Sequence, residues 1–128
     1  MNITVGMTAT IESVVEREDT AQVVGSGSLL VFATPCMIAL MEGAACEAIE
    51  AEMPEDKTSV GTELSIQHLS ATPVGLDVRA EATVTAVDGN TITFQVTAFD
   101  ESGKIGEGIH KRVIVSTQRF LDKAYNKL

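Results

Sequence analysis

Alternating apolar and polar residues in the second half of the chain predict an antiparallel sheet. In the first three of its four predicted strands, apolar side chains recur at every second position, as in a sheet with one buried face. Turn residues at Asp88–Asn90 and Asp100–Gly103 separate consecutive strands, which favours hairpin connections. The predicted strands run from about Val60 to His68, Leu76 to Val84, Ile92 to Ala98 and Lys104 to Ser116.

One long helix is predicted from Thr34 to about Glu52. Thr34 is expected to cap the free amides at its start, and Pro35 suits the first helical position. The segment Met53–Asp56 contains a proline and should end the helix.

The order of the elements predicts a two-layer α+β domain, with the helix packed on the sheet. Alternation in Ile3–Val15 indicates one or two further strands, Gly25–Ser28 is typical of a loop, and Arg119–Leu128 is consistent with a short helix. A length of 128 residues suits one compact domain. We therefore expect residues 1–128 to form a single domain.

The charge is unevenly distributed along the chain. The protein has 9 basic and 18 acidic residues, a net charge of −9. Residues 1–103 carry −13 and residues 104–128 carry +4. The overall negative field argues against a nucleic-acid partner, whereas a small polyanion near the basic end is compatible with the pattern.

No segment predicts a membrane span or a secretory signal. The longest stretch without charge, Thr20–Met41, contains several polar residues and Pro35. The first residues lack a basic region followed by an apolar one. We expect a cytoplasmic protein that does not associate with membranes.

The two cysteines give no indication of a disulfide or a metal site. Cys36 and Cys46 lie ten residues apart on the predicted helix, about 15 Å along its axis, which is beyond disulfide reach. No Cys or His spacing typical of metal ligands occurs. The sequence therefore predicts a reducing compartment, no metal site and no bound cofactor.

Glu42 is an acid in an apolar stripe of the predicted helix. Helical spacing puts it on one face with Ile38, Ala45 and Ile49. A carboxylate is costly to bury without a partner. Glu42 is therefore either a functional acid or a side chain that reaches solvent from the edge of the stripe.

His68 and Thr34 each allow a structural and a functional interpretation. His68 alternates in register with Leu64 and Ile66, so it is either a core histidine bound to the backbone or an acid–base group. Thr34 is either a simple cap or a hydroxyl placed where a helix N-terminus favours negative charge. Together with Glu42 they supply the groups of acyl-transfer chemistry.

These residues fall in segments that resemble the hotdog-fold thioesterases, and among them the fluoroacetyl-CoA thioesterase-like group. The resemblance covers about residues 30 to 115. The matching segments are Val31–Glu42, Ser59–Thr62 leading to His68, Ser70–Gly75 and Ile105–Arg112.

The resemblance implies a hotdog fold, in which a curved antiparallel sheet wraps one helix, and the hydrolysis of an acyl-CoA thioester. It further implies a homodimer with the active sites at its interface, while the pairing of dimers into tetramers stays open. Coenzyme A would enter as part of the substrate. By position, Thr34, Glu42 and His68 correspond to the catalytic residues, Gly61 to a residue near the substrate carbonyl, and Arg112 to a residue that contacts CoA.

One segment departs from the family pattern. The fluoroacetyl-specific enzyme carries phenylalanines in a lid just before the matching Phe-Ala-Thr, where this chain has Val24-Gly-Ser-Gly-Ser28. We therefore expect a different acyl group or a broader range of acyl groups.

Two other functions remain open for the same fold. The first is a non-catalytic domain that binds or senses acyl-CoA. The second is a hydratase of enoyl-CoA, although the chain lacks the closely spaced Asp and His of that group.

Overall fold

The computed structural model describes residues 1–128 and contains five strands and three helices. A single 3₁₀ turn covers Arg17–Asp19. The strands are β1 (Thr8–Val14), β2 (Lys57–His68), β3 (Asp77–Asp88), β4 (Thr91–Asp100) and β5 (Gly103–Ser116), and the helices are α1 (Ala21–Val24), α2 (Thr34–Glu50) and α3 (Thr117–Tyr125).

The five strands form one antiparallel sheet in the order β1-β3-β4-β5-β2. The hairpins that join β3 to β4 and β4 to β5 contain Gly89 and Gly103, both with positive φ. Strands β1 and β2 are the two edges of the sheet. The predicted α+β architecture is confirmed.

Helix α2 packs on one face of the sheet and forms the core with it. The alternation predicted for β3 and β4 is confirmed, because every second residue is buried there. A fully buried Met or Ile side chain contributes about 1.5–3 kcal/mol to stability. Buried apolar residues of α2 are Met37, Met41, Ala44, Ala45 and Ile49, and those of β3 and β4 are Val78, Ala80, Ala82, Val84, Ile92, Phe94, Val96 and Ala98.

Strand β2 differs from its predicted alternation at one position. Gly61 pairs with Arg112 and Glu63 pairs with Lys111, so Thr62 is an extra residue in β2. Such a bulge exchanges the two faces of a strand. Ser59 and Gly61 therefore share the helix-facing side with His68, whereas Val60 and Thr62, predicted to share that side, do not.

The two terminal elements agree with the sequence apart from their bounds. The N-terminal strand is confined to Thr8–Val14, and the C-terminal helix begins at Thr117. Helix α1, which the sequence pattern did not predict, ends at Gly25 with a φ of 90°. None of the helices is both long and apolar enough to cross a membrane.

Replacement of Gly108 tests the pairing of β5 with β2. A Cβ atom at Gly108 would overlap the carbonyl oxygen of Ser65 and lie 2.8 Å from the Cα atom of Ile66. Because both are backbone atoms, the strands would have to separate. We expect Gly108→Ala to lower the free energy of unfolding by about 1–3 kcal/mol in urea denaturation.

The control for this variant is Gln95→Ala, on the exposed side of β4. It should change the free energy of unfolding by less than about 0.5 kcal/mol. Equal stabilities of the two variants would contradict the pairing.

Candidate active site

Thr34 and His68 are joined by a hydrogen bond between α2 and the end of β2. The distance between Thr34 Oγ1 and His68 Nδ1 is 2.7 Å. The predicted capping role of Thr34 is wrong, because Ala33 is the cap residue and no side chain caps this helix end. The hydroxyl is directed to the imidazole instead.

The second ring nitrogen of His68 has no hydrogen-bond partner. Nε2 is buried, although the residue as a whole is only half-buried. Desolvation lowers the pKa of His68 below its ordinary value of 6.5, and the Ser70 backbone opposes this shift only in part. His68 is therefore mainly neutral at pH 7, with Thr34 bound at one nitrogen and the other free.

Glu42 lies at the border of the buried face of α2. Ile38 and Glu42 are half-buried, while Met41 next to them is fully buried. The carboxylate points to β2, where it lies against Gly61: a Cβ atom at Gly61 would be 2.5 Å from Glu42 Oε2. Only a residue without a side chain allows this approach.

Arg112 links Glu42 to the start of β2. Its side chain is 8% exposed, and Nη1 donates to Glu42 Oε2 at 3.3 Å. Nε donates to Ser59 Oγ at 2.8 Å, and Nη2 donates to the Ser59 carbonyl at 3.0 Å. The guanidinium group is thus held in a fixed plane beside the carboxylate.

His110 also belongs to this cluster, and the sequence analysis missed it. Its side chain is wholly buried, and Nε2 lies 3.1 Å from Arg112 Nη1 and 3.8 Å from Glu42 Oε2. The signal available in the sequence was the period of two in β5, which puts His110 on the same face as Arg112 and the buried Ile114.

The five residues that the sequence predicted for the site form two separate groups in one chain. Thr34 and His68 make up the first group, and Glu42, Gly61 and Arg112 make up the second. Eight residues of helix place Thr34 and Glu42 about 12 Å apart along the axis of α2. Gly61 and His68 pair with Arg112 and Gly106 of β5, six residues apart, which corresponds to about 20 Å along β2. The single chain therefore does not bring the groups together.

A groove opens beside the first group. It has a volume of about 300 Å³, and its lining includes the apolar residues Val31, Phe32 and Leu69 as well as Thr34 and His68. No group of three or more His, Cys, Asp or Glu side chains is arranged to hold a metal ion. The arrangement provides an imidazole and a hydroxyl at the mouth of a partly apolar groove.

Comparison with known proteins identifies the family. The family model described as "fluoroacetyl-CoA-specific thioesterase" matches residues 15–118. The fluoroacetyl-CoA thioesterase of Streptantibioticus cattleyicolor is 35% identical over 97 residues, which cover 76% of this chain and 70% of that protein. This chain belongs to the fluoroacetyl-CoA-specific thioesterase family. It is accordingly a thioester hydrolase.

Solved structures agree with this assignment. The structure of the fluoroacetyl-CoA thioesterase FlK is 30% identical, with a TM-score of 0.93 over 100% of this chain and 99% of that one. A thioesterase superfamily member of Thermus thermophilus is 28% identical, with a TM-score of 0.85 over 99% and 98%. A hot-dog-like protein of Thermanaerovibrio acidaminovorans is 26% identical, with a TM-score of 0.87 over 97% and 92%. The predicted hotdog fold is confirmed.

The segment before α2 lacks aromatic residues in this member of the family. Val24–Ser28 begins at the last residue of the short helix α1, and Leu29 and Leu30 after it are 66% and 44% exposed. Phe32 is the first aromatic residue, and it is buried in the core. The segment between α1 and Phe32 therefore carries only small and aliphatic side chains.

Gly61 tests the close approach of β2 to Glu42. In Gly61→Ala the new methyl group would displace the Glu42 carboxylate, because the two cannot occupy the same space. We expect thioester hydrolysis to fall by about 100-fold, the effect of a displacement of about 1 Å at a reacting group. Steady-state assays of thiol release measure this.

The control is Gln95→Ala, on the exposed side of β4 and outside both groups of site residues. It should leave hydrolysis within about threefold of the wild type, since surface substitutions away from such contacts have small effects. Full activity of Gly61→Ala would show that the position of Glu42 against Gly61 is unimportant.

His68 and His110 make stability depend on pH. Burial lowers the pKa of both His68 and His110 below 6.5 in the folded protein. Below pH 6.5 the unfolded chain therefore binds protons that the folded chain does not. The free energy of unfolding decreases as the pH is lowered. Urea denaturation should show a lower free energy of unfolding at pH 5.5 than at pH 7.5.

A variant with both His68→Asn and His110→Asn serves as the control for this effect. The decrease between the two pH values should be smaller in this variant. An unchanged decrease would assign the pH dependence to other groups.

Proposed function

We propose that this protein hydrolyses the thioester of a small acyl-CoA at two equivalent sites, each formed between two copies of the chain. One observation carries the proposal. Thr34 with His68, and Glu42 with Gly61 and Arg112, lie toward opposite ends of one edge strand. A two-fold axis at the middle of that strand would bring the first group of one copy to the second group of the other.

The free edge of β2 supports the dimer. Strand β2 has 12 residues, pairs only with β5 and leaves its other row of backbone groups open, whereas the opposite edge β1 has 7 residues. Unpaired edges of this length are normally covered. Leu64, near the middle of β2, is 41% exposed in the isolated chain. Antiparallel pairing of two β2 strands would join the sheets side by side and cover this residue.

The proposed chemistry follows from the two groups. The thioester carbonyl lies near the start of α2, where helix amides and the Gly61 amide of the partner subunit stabilise the oxyanion. Glu42 of the partner subunit supplies the nucleophilic function, by direct attack or through a water molecule. The C–S bond then breaks, and the thiolate of CoA takes up a proton. The acyl group leaves as the carboxylic acid, formed at once when water attacks, or by attack of water on the anhydride when Glu42 attacks directly.

His68 is suited to the proton transfers. Its bond to Thr34 fixes the ring, and the unpartnered Nε2 is left to accept and donate a proton. A lowered pKa keeps the ring neutral and able to act as a base at pH 7.

Arg112 is proposed to contribute in two ways. Its bonds to Glu42, His110 and Ser59 use four of its five N–H groups. The remaining N–H of Nη2 is left for the CoA portion of the substrate. The reaction needs no cofactor other than the CoA that the substrate carries.

The acyl group is proposed to be small but not restricted to fluoroacetyl. Variants of FlK have been solved with fluoroacetate and CoA, and with acetyl-CoA. The absence of phenylalanine in Val24–Ser28 removes aromatic contacts that would select one acyl group. We also propose a cytoplasmic location, which the free cysteines Cys36 and Cys46 support.

The first test measures thiol release from acetyl-, fluoroacetyl-, branched and long-chain acyl-CoA. We expect the highest kcat/KM for the short acyl groups, and losses of at least about 100-fold in Glu42→Gln and His68→Asn. Binding of acyl-CoA by calorimetry without any thiol release would support a non-catalytic binding domain instead.

The second test decides whether the two groups act across a dimer. Glu42→Gln and His68→Asn are each expected to be inactive alone, but co-refolding them in equal amounts makes half of the dimers mixed. One site of each mixed dimer then has both native groups, so the mixture should recover about one quarter of the wild-type activity. No recovery in a mixture shown to contain mixed dimers would contradict the shared site.

A further inference from the structure

His110 is a buried histidine to which the proposed reaction assigns no step. It lies on β5 between Phe94 of β4 and Leu64 of β2. Its ring stacks on Phe94, with centroids 6.0 Å apart and planes at 26°. Both side chains are wholly buried. A residue of this kind is costly in a core unless its two nitrogens are satisfied.

The neighbours of the ring fix its tautomer. Nδ1 lies 2.9 Å from the carbonyl oxygen of Glu63, which can only accept, so Nδ1 carries the proton. Nε2 of the neutral ring is then an acceptor, and the group facing it at 3.1 Å is the N–H of Arg112 Nη1. The backbone of the bulged strand therefore determines which nitrogen faces Arg112.

Hydrogen bonds to Ser59 and His110 hold three N–H groups of Arg112. Ser59 accepts from Nε and Nη2, and His110 accepts one hydrogen of Nη1. The second hydrogen of Nη1 is directed to Glu42 Oε2. Since the guanidinium group is planar, fixing three of its N–H groups fixes the direction of the fourth.

We propose that His110 is a positioning residue, which holds the Arg112 guanidinium against Glu42 and so sets the orientation of that carboxylate without touching the substrate. The inference rests on the proposed role of Glu42 in thioester hydrolysis. It assigns the cluster of Ser59, His110 and Arg112 to the support of one catalytic side chain.

Protonation of His110 would disrupt this arrangement. The charged groups that face the ring are Arg112 on β5 and Glu42 on α2, while β4 presents the apolar Phe94 and β2 presents a backbone carbonyl. A proton on Nε2 would repel the Nη1 hydrogen of Arg112 and attract the carboxylate of Glu42. Burial lowers the pKa of His110, and Arg112 lowers it further, against the Glu63 carbonyl and Glu42.

Three substitutions test the hydrogen bonds of the two ring nitrogens of His110 separately. In His110→Gln the amide oxygen can take the place of Nε2 and accept from Arg112. In His110→Asn the amide can take the place of Nδ1 and donate to Glu63, but nothing accepts from Arg112. His110→Phe keeps the stacking on Phe94 and removes both bonds.

The experiment compares kcat, KM and thermal unfolding for the three variants in the full-length protein. We expect His110→Gln to keep kcat within about threefold of the wild type, and His110→Asn and His110→Phe to lose about 10- to 100-fold in kcat with little change in KM. Rescue by Gln and not by Asn is a result that a purely structural role would not give. Equal kcat values for Gln and Asn would overturn the proposal.

Arg112→Gln provides a second readout. If His110 acts through Arg112, the double variant Arg112→Gln/His110→Asn should have the same kcat as Arg112→Gln alone. Independent, multiplying losses would overturn the proposal. Should His110→Phe fail to fold, the comparison of Gln with Asn and this double variant still decides the result.

Glu42→Gln distinguishes a failure of the proposed function from a failure of the proposed role of His110. If it is as active as the wild type, the proposed function itself fails. If it is inactive while His110→Asn keeps the wild-type kcat, only the role of His110 fails.

Discussion

The bulge at Thr62 is the constraint on which the candidate site depends. The extra residue changes the alternation of β2, so that Gly61 and His68, an odd number of positions apart, face the same side of the sheet. Without it, either Gly61 would face away from Glu42 or His68 would face away from Thr34. The contacts of both groups with α2 require the bulge.

Helix α2 contacts the edge strand β2 at two places, and one of the two groups of site residues lies toward each end of β2. Glu42 meets Gly61 and Arg112 at one end, and Thr34 meets His68 at the other. Neither group alone has a hydroxyl, an imidazole, a carboxylate and an oxyanion donor in reach of one reacting atom. In the proposed dimer, a two-fold axis at the middle of β2 would complete both sites at once.

The interior cluster around Arg112 has a cost that its hydrogen bonds offset. A buried guanidinium group is strongly destabilising when unpaired. Here the carboxylate of Glu42 balances its charge, and Ser59 and His110 accept three of its other hydrogens. The same bonds restrict the rotation of Glu42, which remains 36% exposed and accessible to a ligand. The contacts that balance the charge of Arg112 are thus the same ones that are proposed to position Glu42.

The sequence determined the elements of this fold, because local periodicity directly reflects burial. The alternation of β3 and β4 and the helical spacing from Thr34 onward predicted strands, helix and layer order, with helix bounds within two residues. Family motifs predicted Thr34, Glu42, His68, Gly61 and Arg112 as site residues, and the structure gives each of them a contact within one of the two groups. Their roles in the reaction remain proposals.

Only the tertiary structure decided what those side chains contact. Thr34 reads as a cap in the sequence, but its hydroxyl binds His68, which lies 34 residues away along the chain. The bulge leaves no mark in the pattern of apolar residues, and His110 reads as one polar residue in a strand. The reason is physical: a local pattern records whether a side chain is buried, whereas its partner is set by strand register between segments distant in sequence.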